Sequence, residues 1–187
     1  LRVEANGALA VRCGRLAIGR WNPDGGGSLA APATKPSLSP LIDADGWWSS
    51  GDAARLKGSA ETPQLKLLGR LDGAIHSGGI TVFPEQLEVR LMAAAREAGL
   101  PVKAMLFLGV QDPEWGERLV ALVRWRDADH QAGAGEIVLR RLQAMTEHWL
   151  PAERPQRWHH CPNLAPTSAG KWERARWLAW LKGSEHS

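Results

Sequence analysis

The sequence predicts an α+β fold in which a small mixed domain follows a segment of β-strands. From residue 73 onward, strand-type and helix-type patterns follow one another without a strict β-α-β repeat. Before Leu71, the apolar residues recur with a period of two, which is typical of strands. The boundary therefore falls between Leu71 and Gly73, and we divide the chain into residues 1–71 and 72–187.

The composition excludes several classes of protein. The chain has 187 residues, of which 44% are hydrophobic and 23% charged, as in ordinary globular domains. A net charge of +3 is too small to indicate nucleic-acid binding, and no apolar run is long enough for a membrane span. Two distant cysteines, Cys13 and Cys161, argue against a disulfide framework or a zinc site and favour a cytoplasmic location. The first residues resemble the inside of a sheet, so we expect a piece of a longer protein.

The first segment is predicted to be entirely β-structure with one long loop. Its residues alternate up to Trp21 and turn at Asn6-Gly7, a dipeptide typical of tight hairpins. Residues 22–40 are rich in Gly, Pro and Ser, which predicts a loop. Residues 46–56 and 64–71 then predict two strands joined by a turn.

The second segment alternates strands and helices. Two short strands are hinged at Gly78-Gly79, and Pro84 suits the first position of a helix. The helix predicted over 135–150 has its apolar face at Ile137, Leu139, Leu142, Met145 and Trp149. The other predicted elements are strands over 101–112, 117–125 and 154–161 and a final helix over 171–183.

One lysine near the carboxyl end needs an explanation. Lys171 follows four small residues in APTSAGKWERARW, residues 165–177, close to a helix start where the dipole disfavours a cation. A nucleotide-binding P-loop is excluded, because it requires glycine at position 165 and Ser or Thr at position 172, which hold Ala165 and Trp172. A solvated loop lysine without a function remains the alternative.

Other single features also have plain explanations. Asp52 suits a turn, Arg70 suits a surface, and Gly78-Gly79 suits a hairpin bend. The adjacent residues His159 and His160 would point to opposite faces of a strand, so we predict no metal site there.

Four motifs in this order nevertheless resemble the adenylate-forming family, which includes acyl-CoA synthetases, adenylation domains and luciferase. They are GWWSSGD at 46–52, GRLD at 69–72, SGGITVFPEQLE at 77–88 and TSAGKWER at 167–174. Within the family the sequence looks most like 2-succinylbenzoate–CoA ligases of menaquinone or phylloquinone synthesis. Ile80 departs from the pattern, because glutamate is common at that position, and this puts the local loop contacts in doubt.

The resemblance implies a fold and an activity. Residues 72–187 would be the mobile, small C-terminal α+β domain of the adenylate-forming fold, and residues 1–71 the β-rich end of the large N-terminal domain. Such enzymes join a carboxylic acid to ATP and then transfer the acyl group to CoA, with Mg²⁺ bound mainly through ATP and the missing domain. This piece alone is expected to be inactive, and a homodimer is left open.

The resemblance also implies roles in the adenylation step. Lys171 would be catalytic, stabilising the charge that develops as the carboxylate attacks the α-phosphate. Asp52 would bind the ribose hydroxyls with its two carboxylate oxygens, and Arg70 would add hydrogen bonds to ribose or phosphate.

In the second step, the C-terminal domain of such enzymes rotates about the aspartate that corresponds to Asp72. Ser77, Gly78 and Gly79 would then replace Lys171 at the site and line the pantetheine passage. Two alternatives remain, namely another adenylating enzyme, such as another acyl-CoA synthetase or a peptide-synthetase adenylation domain, and a non-catalytic binding module of the same fold.

Overall fold

The computed structural model describes residues 1–22, 37–59, 61–125 and 134–184. The chain divides into two compact units, Leu1–Asp72 and Gly73–Ser187. The first contains strands and the second contains both helices and strands, so the predicted α+β class is confirmed.

The first unit consists of two antiparallel sheets. The described strands are β1 (Arg2–Val3), β2 (Ala8–Val11), β3 (Gly19–Asn22), β4 (Ser37–Pro40), β5 (Trp48–Lys57) and β6 (Gln64–Arg70). One sheet has the strand order β1-β2-β5-β6, and β3 pairs with β4 in the other. The turn predicted at Asn6-Gly7 is confirmed, because the Gly7 N–H donates to the Glu4 carbonyl over 2.9 Å.

The loop prediction over residues 22–40 was wrong for the residues at its two ends, which belong to strands. Residues 37–40 form β4, and pairing with β3 from Gly19↔Pro40 to Asn22↔Ser37 supplies the backbone hydrogen bonds that the local composition does not suggest. Residues 23–36 lie outside the described residues.

The second unit is a five-stranded sheet with helices on both faces. Its elements are β7 (Ile75–Ser77), β8 (Ile80–Val82), α1 (Pro84–Glu97), β9 (Val102–Asp112), β10 (Gly116–Trp125), α2 (Ala134–Thr146), β11 (Arg157–His160) and α3 (Arg174–Ser184). The central strand β10 pairs with β9 antiparallel, with β11 parallel and with β7 at one end, while β7 pairs with β8. No helix in the described ranges is long and apolar enough to cross a membrane.

Each face of this sheet has its own apolar core. Successive residues of a strand point to opposite faces, so the odd-numbered Leu119 and Val123 pack with α1 and α2. The even-numbered Val120 and Leu122 pack with α3 through Trp177 and Leu181. Because both faces are covered, β9 and β10 show continuous apolar runs in the sequence.

Two helix predictions were wrong in detail. The buried face of α2 contains Val138 and Leu142, whereas Ile137 is 61% exposed, and Trp149 is buried but lies beyond the helix end at Thr146. The direction of the apolar face depends on where the sheet lies, which the local pattern does not specify. The last helix begins at Arg174 rather than at position 171.

Candidate functional site

Asp52 and Arg70 lie opposite each other on β5 and β6. They are partners in the antiparallel ladder, and Arg70 Nη1 is 3.7 Å from Asp52 Oδ1. Both side chains reach solvent, with exposed fractions of 36% for Asp52 and 53% for Arg70. An ion pair this exposed adds little stability, because water and salt screen the two charges. The pair therefore presents a carboxylate and a guanidinium to solvent at little cost to the fold.

Arg70 also binds Asp72, two residues further along the chain. Its Nε and Nη2 donate to the two carboxylate oxygens of Asp72 over 3.1 and 3.0 Å, and Nη1 donates to the Ser50 carbonyl over 3.2 Å. The hydrogen bond and the negative charge of Asp72 raise the pKa of Arg70 further above its ordinary value. Asp72 itself lies in a short 3₁₀ helix, Leu71–Gly73, where the two units meet in the sequence.

Lys171 stands at the end of a closed turn of small residues. The Gly170 N–H donates to the Thr167 carbonyl, and the Thr167 N–H donates to the Lys171 carbonyl, each over 2.8 Å. The Lys171 N–H donates to Thr167 Oγ1 over 3.1 Å. The lysine is exposed and lies three residues before α3, so its side chain extends from a turn with a fixed backbone rather than from the helix.

The predicted glycine hinge is the turn between β7 and β8. Ser77 is fully buried, and within the described residues its hydroxyl has no hydrogen-bond partner. Gly78 contacts the indole of Trp115, which lies in the turn between β9 and β10, and its N–H donates to the Trp115 carbonyl over 2.9 Å. Ile80, the residue that departs from the family pattern, is 42% exposed.

Sequence reasoning missed a cluster of charged residues behind the Lys171 turn. Arg174 donates to Glu88 Oε1 over 3.0 Å, to Glu85 Oε1 over 2.9 Å and to the Phe107 carbonyl over 2.6 Å. One signal for this cluster was available in the sequence. Glu88 follows the apolar Leu87 near the start of the predicted helix, where a side chain can face the core. A carboxylate in such a position needs a cation as partner.

The described residues offer no metal site. They contain no group of three or more His, Cys, Asp or Glu side chains arranged to hold an ion. His160 instead stacks on Trp125 with ring centroids 3.6 Å apart, and Cys161 is buried in the core beneath α3.

Curated relatives of this chain are acid–CoA ligases. A probable 2-succinylbenzoate–CoA ligase of Mycobacterium tuberculosis is 31% identical over 176 residues, which is 94% of this chain and 40% of the relative. An uncharacterised acyl-CoA ligase of Bacillus subtilis, YhfT, is 32% identical over 121 residues, covering 64% of this chain and 22% of the relative. This chain therefore spans less than half the length of these relatives. The chain matches no protein-family model.

Solved structures show the same fold. The o-succinylbenzoate CoA synthetase MenE of Bacillus subtilis, in complex with the acyl-adenylate intermediate OSB-AMP, superposes with a TM-score of 0.54 at 23% identity, covering 71% of this chain and 24% of MenE. Wild-type MenE of E. coli, bound to an analogue of OSB-AMS, has a TM-score of 0.53 at 22% identity, covering 94% of this chain and 34% of MenE.

Proposed function

Because this chain is homologous to adenylate-forming acid–CoA ligases, we propose that it is the carboxyl-terminal part of such an enzyme. Residues 1–71 would complete the large N-terminal domain, and residues 72–187 would form the small mobile domain. The proposed enzyme activates a carboxylic acid with ATP and transfers the acyl group to CoA.

The observation that carries this proposal is the 31% identity to a probable 2-succinylbenzoate–CoA ligase over 94% of the chain. Ligases with the same substrate in their names from Enterococcus faecalis and Salmonella typhimurium are 30% and 26% identical. We therefore propose 2-succinylbenzoate as the acid. Feruloyl-CoA synthases are 34% identical, but over only 84 residues, which makes ferulate the second acid to test.

We assign the catalytic role in the first step to Lys171. A carboxylate oxygen of the acid attacks the α-phosphorus of ATP, the P–O bond to the β-phosphate breaks, and pyrophosphate leaves with the electron pair. Negative charge accumulates where the acid and the phosphate meet, and a positioned ammonium group stabilises that arrangement. Lys171 suits this role because its backbone is held by the turn while its side chain is exposed.

Asp52 and Arg70 would hold the nucleotide. The two oxygens of Asp52 can accept hydrogen bonds from both ribose hydroxyls, and Arg70 lies beside it with further N–H groups for the ribose or the phosphate. The carboxylate of Asp52 that would bind the nucleotide lies on a backbone already fixed by the pairing of β5 with β6.

In the second step, the thiol sulfur of CoA attacks the acyl carbon and the thiol proton is released to solvent. The bond from the acyl carbon to the phosphate oxygen breaks, and AMP leaves with the electron pair. We propose that rotation at Asp72 replaces Lys171 by the turn at Ser77, Gly78 and Gly79 for this step. Gly79, which has open space where a side chain would lie, leaves room for a narrow thiol arm, whereas Trp115 occupies the corresponding space at Gly78.

Magnesium would enter with ATP. The described residues do not fit a dedicated magnesium site, since they hold no suitable cluster of ligands. We assign the metal to the ATP phosphates and to the rest of the enzyme. Its general contribution is to neutralise phosphate charge.

The test uses the complete enzyme that contains this chain. Lys171→Ala should reduce ATP–pyrophosphate exchange with 2-succinylbenzoate by about 10²–10³-fold, the loss typical of removing an electrostatic stabiliser. Thioester formation from the preformed adenylate should be retained. Lys103→Ala, which removes another exposed lysine of the same unit, is the control. Equal loss in both steps would exclude the assigned role, and exchange with ferulate alone would exclude the proposed acid.

A substitution at Asp72, the proposed axis of domain rotation, should impair the second step more than the first, the reverse of Lys171→Ala. Asp72→Pro fixes a backbone torsion that rotation must change, so thioester formation should fall more than adenylation does. Wild-type overall turnover in this variant would rule out rotation at Asp72.

A further inference from the structure

The charged cluster of Glu85, Glu88 and Arg174 forms around one residue of the sheet edge. Within the described part of the chain, β9 pairs with β10 alone, so its other edge has no neighbouring strand. At Phe107 the missing strand is replaced by side chains. The Phe107 N–H donates to Glu88 Oε1 over 2.8 Å, and Arg174 Nη1 donates to the Phe107 carbonyl over 2.6 Å.

Glu88 and Arg174 are poorly accessible to water, whereas the side chain of Glu85 is 39% exposed. Arg174 Nη1 also donates to the same Glu88 oxygen over 3.0 Å, and Nη2 donates to Glu85 Oε1 over 2.9 Å. The exposed fraction of the side chain is 10% for Glu88 and 22% for Arg174. Charged hydrogen bonds that are shielded from water are stronger and more directional than exposed ones. Arg174 is therefore held in one place by partners on α1 and β9.

Arg174, held in this way, lies three residues after Lys171. Three residues of chain span at most roughly 10 Å, so anchoring Arg174 restricts the backbone of Lys171 to a small volume. Between them, Trp172 packs against the core beneath α3, which holds the segment from a second side. At the other end of the turn, Leu164 is fully buried. Both ends of the Lys171 turn are thus attached to the sheet.

We propose that Glu88 and Arg174, assisted by Glu85, are positioning residues for Lys171, and that they hold its turn in the geometry needed for adenylation. This inference rests on the catalytic role proposed for Lys171. A displacement of about 1 Å at a reacting group can lower the reaction rate about 10²-fold. Fixing the backbone from which the flexible Lys171 side chain extends therefore raises the rate of adenylation. None of the three residues needs to touch a substrate.

The first test measures the turn itself in the intact 187-residue chain. In the parent chain, we expect ¹⁵N order parameters near 0.85 for the amides of Gly170 and Lys171, and values below about 0.6 in Arg174→Met. The amides of Val120 and Leu122 in β10 should keep rigid values, which separates local release from loss of the fold. Arg176→Met is the matched control, because this exposed arginine pairs with Glu173 rather than with the cluster.

A second variant covers the case in which Arg174→Met does not fold. Arg174→Lys keeps the positive charge beside Glu88 but lacks the planar fork that reaches Glu88, Glu85 and the Phe107 carbonyl together. We expect an intermediate increase in the mobility of Lys171. A turn as rigid as in the parent chain in either folded variant overturns the proposal.

The final test uses the complete enzyme. Arg174→Met, or Arg174→Lys where the former does not fold, should lower the kcat of ATP–pyrophosphate exchange at least 10-fold, leave the KM for ATP within about 2-fold, and spare thioester formation from the preformed adenylate. If the unaltered enzyme shows no ATP–pyrophosphate exchange with an acid, the proposed function fails. If Lys171→Ala leaves exchange intact, the catalytic role of Lys171 fails and the positioning role fails with it. If Lys171→Ala abolishes exchange while the Arg174 variant exchanges normally, the proposed function stands and the positioning role is overturned.

Discussion

Trp115 lies against Gly78 so closely that a Cβ atom on this glycine would be 2.7 Å from Cε3 of the indole. The adjacent Gly79 has open space around the same position, although both glycines have a positive φ, 55° for Gly78 and 79° for Gly79. The two glycines of the turn between β7 and β8 are therefore required for different reasons.

The first prediction compares alanine at these two positions. Gly79→Ala should lower the free energy of unfolding by roughly 1–2 kcal/mol, the cost of a left-handed conformation for a residue with a Cβ. Gly78→Ala has the same conformational cost and must also displace Trp115, which should add about 1–3 kcal/mol. Urea denaturation of the intact chain measures both losses. Equal losses would show that Trp115 moves away without cost.

The second prediction concerns the pH dependence of stability at Glu88. Burial raises the pKa of this carboxyl above its ordinary value of 4.5, and the nearby charge of Arg174 only partly opposes the effect. Between pH 4.5 and the raised pKa, the folded chain therefore holds a proton that the unfolded chain has released. The stability due to this group is fully present below pH 4.5 and is lost as the pH rises through the raised pKa.

The measurement compares wild type with Glu88→Gln in urea between pH 4 and pH 7. As the pH rises, the difference in unfolding free energy should shift in favour of the variant, because glutamine has no proton to release. Glu97→Gln, at an exposed position at the end of α1, is the control for the loss of one carboxyl. A shift in favour of the wild type would contradict the direction given for the pKa.

The third prediction is that residues 73–187 fold without the rest of the chain. Both buried clusters around the five-stranded sheet consist entirely of residues in this range. Expressed alone, it should give a mixed α+β circular dichroism spectrum and one cooperative thermal transition. Residues 1–71 should show weaker protection from hydrogen exchange, since we interpret them as the edge of a larger domain. A non-cooperative melt of 73–187 would contradict this.

The fourth prediction is that this chain alone binds ATP weakly. The proposed ribose-binding residues Asp52 and Arg70 are exposed and already paired with each other, and the family resemblance implies that the rest of the nucleotide site belongs to the large N-terminal domain. We expect a dissociation constant of about 1 mM, equivalent to about −4 kcal/mol. Isothermal titration calorimetry with ATP and with the acyl-adenylate measures it. Saturable micromolar binding would mean that the nucleotide site is complete here.

The sequence by itself determined the local structure of most of this protein. Asn6-Gly7 and Gly78-Gly79 mark turns, and Pro84 marks the start of α1, because the conformational preferences of these residues act at their own positions. The ordered motifs also led to a family resemblance that the relatives confirm. The roles assigned to Lys171 and Asp52 from that resemblance remain predictions.

Only the tertiary structure decided which distant residues meet. The partner of Glu88 is Arg174, 86 positions later, and the residue that excludes a side chain at Gly78 is Trp115. The exposure of Ile137 and the pairing of β4 with β3 were likewise set by neighbouring elements. Local propensity depends on a few adjacent residues, whereas these contacts depend on how strands and helices pack together. The attachment of the Lys171 segment to α1 and β9 through Arg174 follows from that packing.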